Sequence, residues 1–246
     1  MQPRIAIVTG GSNGIGAEIC QRLLVDGYHV FSLDREPLKT KPAANSGKLT
    51  GIQVDLSDAQ ETRRVVTELA LKSPATTIIH NAGAVLEKPL EDVAPEDLNI
   101  LTNLHLAAPL ALVQANLAAM KAERFGRIVL VSTRAVLGLA KRTAYSTTKA
   151  GLLSMARTWA LELGPFGITA NVVAPGPIAG TRVFHDIIPE DSPKIPAIEQ
   201  SIPVKRLGTP ADVARAVQFF IAPEAGFITG QTLYVCGGTS VGSISF

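Results

Sequence analysis

The chain has 246 residues, 46% hydrophobic and 18% charged, a balance that fits a globular protein with room for a full core. Lys plus Arg number 23 against 21 Asp plus Glu, and the basic residues form no runs, so neither nucleic acid nor a membrane surface is the expected partner. The two cysteines, Cys20 and Cys236, stand far apart in no metal-ligand pattern, which argues against a disulfide framework or a metal site and for a reducing cytoplasm. The opening MQPRIAIVTGG holds an apolar run too short for a signal-peptide core, and no later stretch is expected to reach the length of a membrane span.

Short β-rich runs alternate with amphipathic helices along the chain. The strand RIAIVT (4–9) leads into the helix GIGAEICQRLLVDG, followed by the strands HVFSLD (29–34) and KLTGIQVD (48–55). The helix DAQETRRVVTELALK, the strand TTIIHN (76–81) and the long helix EDLNILTNLHLAAPLALVQANLAAMKAE come next. Pro109 should kink that helix near His105, because it removes one ladder hydrogen bond. The strands GRIVLVS (126–132), GITANVVA (167–174) and QTLYVC (231–236) complete the pattern. This rhythm predicts an α/β fold: one doubly wound parallel sheet of about seven strands, helices on both faces, and a single domain over 1–246. The proline-rich segment 177–209 breaks the rhythm and reads as an irregular substrate lid.

In such sheets ligands bind at the carboxyl ends of the strands. The first strand ends in GGSNGIG and runs directly into a helix. Gly10, Gly14 and Gly16 would let the backbone turn sharply against a pyrophosphate, with the helix N-terminus aimed at its charge. The spacing is TGxxxGxG rather than GxGxxG, and a glycine-rich turn without a ligand is the competing reading. The second strand ends in Asp34, placed to accept both hydroxyls of an adenosine ribose and to repel a 2′-phosphate, which favours NAD over NADP. Arg35 is the counter-signal, since it could swing to a phosphate or stack on the adenine.

RTAYSTTKAG (142–151) puts Tyr145 and Lys149 one helical turn apart. Alone, this is an aromatic and a cation sharing a helix face. TGGSNGIG at 9–16, HNAG at 80–83, Ser132 thirteen residues before YSTTK at 145–149, APGPI at 174–178 and ITGQTLYVCGG near the C-terminus occur together and in order. By these motifs the sequence resembles the short-chain dehydrogenase/reductase family over essentially its whole length. The likeness is to single-domain members such as the 3-oxoacyl-carrier-protein reductases and dihydrodiol dehydrogenases.

The resemblance implies a Rossmann-type domain and a nicotinamide cofactor. Tyr145 becomes the general acid/base, with Lys149 and the positive nicotinamide lowering a phenol pKa that is otherwise about 10. Ser132 is implied to hydrogen-bond the substrate oxygen, and Asn103 to anchor a water in the proton relay. Ser12, Asn13 and Ile15 belong to the cofactor turn with the three glycines. Asp55 and Leu56 are expected beside the adenine, Asn81, Ala82 and Gly83 beside the adenosine ribose, and Pro175, Gly176 and Ile178 beside the nicotinamide. Thr181 is expected near the carboxamide, although PGPIAGT carries one residue more than the usual PGxIxT. His80, where asparagine is usual, is expected to hold a structural hydrogen bond across the sheet.

Arg134 and Phe184 are the substrate-side candidates; Arg134 could clasp a carboxylate, and its alternative is a structural or interface role. STRAVLG at 132–138 is similar to segments of dihydrodiol dehydrogenases. The reading is NAD-dependent oxidation of a secondary alcohol, such as a cyclic alcohol or cis-dihydrodiol, to a ketone or catechol. NADPH-dependent reduction of a 3-oxoacyl thioester is the alternative, and a nucleotide-sensing regulatory protein on the same fold is the alternative of another class. The partner is a small-molecule alcohol or ketone, and the resemblance implies a homotetramer. Leu152, Met155 and Trp159 would lie in its interface or pack inside, and the terminal SVGSISF would reach a neighbour.

Overall fold

A computed structural model describes residues 4–39 and 47–241. Seven strands, β1 (Ile5–Thr9), β2 (His29–Asp34), β3 (Leu49–Gln53), β4 (Thr77–His80), β5 (Gly126–Val131), β6 (Ile168–Pro175) and β7 (Thr232–Val235), form one sheet. They are all parallel, in the order β3-β2-β1-β4-β5-β6-β7. The order reverses between β1 and β4, and the crevice outside their carboxyl ends is where this topology binds ligands.

The helices α1 (Gly14–Val25), α2 (Ala59–Lys72), α3 (Pro95–Thr102), α4 (Ala108–Glu123), α5 (Thr143–Leu163), α6 (Arg182–His185), α7 (Ile195–Ser201) and α8 (Pro210–Ile221) complete the domain. Strand alternation sends Ile128 and Leu130 to one face, where they pack with Leu112 of α4 and Leu152 and Trp159 of α5. Val129 and Val131 go to the other face, against Ile19 and Leu23 of α1 and Val217 and Phe220 of α8. Leu152 and Trp159 are therefore core residues rather than an interface, and Met155 packs partly buried against the same cluster. Most of SVGSISF lies outside the described residues.

Helix ends carry local signals. Asp58 accepts the Gln60 and Glu61 amides at the start of α2, and Thr209 and Asp212 form a reciprocal cap on α8. The predicted break near His105 is a π-turn over Asn103–Ala107, which lets the helix bypass the amide missing at Pro109. The continuous run Pro95–Glu123 is long and apolar enough by composition to cross a membrane, contrary to the expectation that no stretch is. Here it lies along the sheet, with Leu112, Val113 and Met120 in the core and the polar His105 and Asn116 buried.

The segment 177–209 is more ordered than its prolines suggested, since it contains α6 and α7. Its base is pinned by a parallel bridge between Ile178 and Gly208, with the Ala179 amide donating to the Gly208 carbonyl and the Gly208 amide to that of Pro177.

Candidate active site

One cavity of about 1020 Å³ runs along the carboxyl ends of β1, β2, β4, β5 and β6. It joins the glycine turn to Tyr145 and Lys149. Gly10, Asn13, Gly14, Ile15, Asp34, Arg35, Asp55, Leu56, Asn81, Ala82 and Gly83 line one end. Ser132, Arg134, Tyr145, Lys149, Pro175, Gly176, Ile178, Thr181 and Phe184 line the remainder.

At the glycine turn, Gly10 adopts φ +68° and Gly14 φ +51°, which side-chain-bearing residues rarely adopt. Gly16 does not line the cavity. A Cβ there would sit 2.0 Å from the Gly10 carbonyl oxygen, so its bare Cα is what lets α1 start against the turn. Asn13 makes no side-chain cap on α1, and its amide nitrogen goes instead to Glu36. The first-turn amides of α1 thus lack a side-chain acceptor at their end of the cavity, an arrangement suited to an anion such as pyrophosphate.

Asp34 braces this turn. One carboxylate oxygen accepts the Ser12 amide at 2.9 Å and the other the Glu36 amide at 3.1 Å. Ser12, whose hydroxyl also donates to the Glu36 carbonyl at 3.1 Å, thus belongs to the support of the turn and lies outside the cavity lining. Asp55 accepts the Ser57 hydroxyl and amide, which hold its carboxyl below the usual range. Thr9 ties β1 to β4: its hydroxyl oxygen accepts the Asn81 and Ala82 amides, each at 3.0 Å, which leaves its proton for His80 Nδ1, also at 3.0 Å. His80 has the structural role expected of it. Burial, aided by the charge of Lys149, holds its pKa down to about 3.

Around the pair on α5, Lys149 Nζ donates to the Val131 carbonyl at 2.8 Å, and burial lowers its pKa to about 7. Burial raises the Tyr145 phenol, while the Thr133 hydroxyl and the charge of Arg142 pull it back. Lys149 and the positive nicotinamide are together expected to stabilise the phenolate; here the Lys149 Nζ is turned to a backbone carbonyl. His105, from the π-turn, meets Tyr145 edge-on at 5.8 Å between ring centroids. Its Nδ1 lies 2.8 Å from the Thr148 hydroxyl, which donates to the Ala144 carbonyl, so Nδ1 carries the proton and Nε2 accepts the Ala84 amide.

Ser132 differs from its expected presentation. Its Oγ donates to the Lys149 carbonyl at 2.8 Å, and the residue is 4% exposed. Asn103 opens the π-turn but does not line the cavity, which Ile100 and Leu104 reach instead. Arg134 reaches the Thr239 carbonyl at 3.4 Å, in keeping with its structural alternative. Thr181 caps α6 and donates to the Ile178 carbonyl, and it neighbours Gly14 at the phosphate turn.

A family model described as enoyl-(acyl carrier protein) reductase matches residues 10–240. A solved structure of a short chain dehydrogenase/reductase family protein superposes with TM-score 0.84 at 31% identity, covering 96% of this chain and 97% of the other. The chain belongs to the short-chain dehydrogenase/reductase family.

It is thus an oxidoreductase that uses a nicotinamide cofactor and acts on a small molecule. The 3-oxoacyl-[acyl-carrier-protein] reductase MabA of Mycobacterium bovis is 33% identical, with 97% of this chain and 94% of MabA covered. A blue fluorescent protein from a metagenomic library, crystallised in complex with NADPH, is 31% identical with TM-score 0.82, over 96% of this chain and 97% of that one. The cavity fits the cofactor the family implies: the uncapped α1 terminus would meet its phosphates, and Lys149, in the lining of the same cavity, would hold the nicotinamide ribose. Sequence reasoning missed Glu36, Arg182, Arg142 and Thr133 among the lining residues. Arg142 pairs with Glu87 at 2.9 Å on the substrate side.

Proposed function

We propose that this enzyme interconverts a secondary alcohol and a ketone, with NAD as hydride carrier and Tyr145 as proton carrier. The observation that carries the reading is the single cavity that joins an uncapped helix N-terminus to the Tyr145–Lys149 pair. The bound nicotinamide supplies the acceptor for the hydride leaving the carbinol carbon. In the same direction the alcohol proton passes to the Tyr145 oxygen as the C=O bond forms. Tyr145 has to be ionised first, and burial opposes that. The neighbouring cation of Arg142 works the other way, and so would the Lys149 ammonium when it holds the nicotinamide ribose.

The lid supplies Val183, Phe184, Ile187, Ile188, Ile198 and Ile202 to the cavity. That apolar wall suits a cyclic alcohol or a cis-dihydrodiol. Asp34 and Glu36 put two carboxylates into the cavity lining beside the glycine turn, and their charge would repel a 2′-phosphate, which supports NAD. Assembly as a tetramer would use exposed apolar residues such as Phe219, Phe227 and Leu233, and sedimentation tests it.

Reduction of a 3-oxoacyl thioester with NADPH is the second reading. It is favoured by the similarity to MabA and by Arg35 and Arg182 at the same end of the cavity. Initial rates with NAD⁺ and NADP⁺ on secondary alcohols, and with NADH and NADPH on ketones and 3-oxoacyl thioesters, separate the two. A strong preference for NADP on thioesters sinks the first. Dehydrogenase activity surviving in Tyr145→Phe sinks the proton carrier itself, whereas a wild type that binds the cofactor and turns over none of these substrates leaves a nucleotide-binding regulatory role.

A further inference from the structure

We propose that Thr133, rather than Ser132, supplies the hydroxyl that hydrogen-bonds the substrate oxygen beside Tyr145. The inference rests on the reading of Tyr145 as the proton carrier, and it concerns the second donor to the same oxygen.

Ser132 is still a sheet residue. Its amide donates to the Val173 carbonyl of β6 at 2.8 Å, continuing the β5–β6 ladder one step beyond Val131. Alternation along the strand puts Ser132 on the same face as Ile128 and Leu130, which is the face covered by α5. Its Oγ accordingly donates to the Lys149 carbonyl at 2.8 Å. A serine hydroxyl has one hydrogen, and here it is spent inside the protein. Donation to substrate would require Ser132 to abandon that carbonyl at a residue only 4% exposed.

Thr133 is the first residue past the ladder and points the other way. Like Ser132 it lines the cavity, but unlike Ser132 it is partly exposed. Its Oγ1 accepts the Ala135 amide at 3.2 Å, which fixes the side chain while leaving the hydroxyl proton to donate. The hydroxyl that acts on the Tyr145 phenol is that of Thr133. An oxygen bound at Tyr145 therefore meets a second donor in Thr133 and not in Ser132. The interval from this donor to the tyrosine is twelve residues (145 − 133), one fewer than the thirteen that singled out Ser132.

The test is steady-state kinetics on Thr133→Ala, Thr133→Ser and Ser132→Ala, with an alcohol the wild type oxidises, alongside cofactor affinity and thermal melting. Thr133→Ala is expected to lose roughly 10² to 10³ in kcat, as when one donor to a developing oxyanion is removed. Its cofactor affinity should be unchanged, and Thr133→Ser should recover most of the loss. Because the Thr133 hydroxyl favours the phenolate, its removal should also move upward the acid limb of the pH–rate profile, on which oxidation is lost as Tyr145 takes up its proton, which a merely structural defect would not do. Ser132→Ala should keep kcat within about tenfold and lose only stability. The opposite pattern, with Ser132→Ala crippled and cofactor-competent while Thr133→Ala is near wild type, overturns the proposal. Should Ser132→Ala fail to fold, the Thr133→Ala and Thr133→Ser pair decides it alone. Tyr145→Phe separates the two readings: if it is active, the proton carrier is wrong, and if it is inactive while Thr133→Ala is active, only the second donor is wrong.

Discussion

Arg182, at the start of the lid, forms an ion pair with Glu36, just past β2, across the adenosine end of the cavity. Arg182, and then Asn13, hold the Glu36 carboxyl down to about 2. The pair puts a lid cation in the cavity lining while keeping it occupied by a carboxylate. Both partners are partly solvent-exposed, so the link should weaken with ionic strength.

Two outcomes are expected from this pair. Glu36→Gln frees Arg182 and removes a repelling charge, so the NADP to NAD ratio of kcat/KM should rise by about an order of magnitude. The wild-type KM for NAD should also vary between about 0.01 M and about 1 M salt, and that variation should shrink in Arg182→Gln. An unchanged cofactor ratio in Glu36→Gln would remove Glu36 from the specificity of the site.

Much of this molecule was readable beforehand, for reasons that differ by element. The strands are short apolar runs bounded by turn residues, and all seven fell within two residues of their expected ends. Gly10 and Gly14 were legible because backbone geometry demands glycine there. The Glu36–Arg182 pair was not, since its members are 146 positions apart (182 − 36) and nothing local links them. Ser132 was chosen by spacing, yet which of two adjacent hydroxyls in the cavity lining has its proton taken up by the protein depends on where β5 leaves the sheet. The short α6 and α7 hid among prolines because Pro189 and Pro193 fall between them and Pro196 is accepted in the first turn of α7.

Lys149 makes the cofactor-free enzyme sensitive to alkaline pH in an unusual direction. Unfolded, the lysine holds its proton up to about 10.4. Folded, burial lowers that to about 7. Between those values the unfolded chain binds more protons, so stability rises with pH, and below about 7 the full cost of burying the cation is present. The difference is of order 4–5 kcal/mol. Urea unfolding at pH 7 and pH 9.5 should show wild type gaining stability relative to Lys149→Met. Parallel pH dependence in the two proteins would mean the ammonium is not desolvated in solution.

On the acid side, His80 and His105 act together. Both are held neutral by burial first and by the Lys149 charge second, His80 down to about 3 and His105 lower still. Unfolded histidines take up protons near 6.5, so stability is fully present above that value and is lost as pH falls below it. With two groups the slope reaches about 2.7 kcal/mol per pH unit. Unfolding between pH 6.5 and pH 5 should be roughly half as steep in His105→Gln as in wild type. A slope unaffected by that change would place the acid sensitivity elsewhere.

Gly83 tests how closely Lys149 must be placed. A Cβ added at Gly83 would lie 3.1 Å from Lys149 Nζ and 3.2 Å from His105 Nε2. The backbone there is not in the left-handed region, so alanine adds crowding and no dihedral strain. Lys149 is the partner with a flexible end, and yielding by a few tenths of an ångström loosens its bond to Val131. Gly83→Ala should therefore fold, with a loss of about 1–3 kcal/mol. Its kcat/KM should fall by up to about 10²-fold, as for a displaced catalytic group. Gly16→Ala is the contrasting case: its Cβ meets the rigid Gly10 carbonyl at 2.0 Å, so the phosphate turn itself must move and cofactor binding should be lost. If Gly83→Ala turns over at the wild-type rate with wild-type cofactor affinity, the position of the Lys149 ammonium is not limiting.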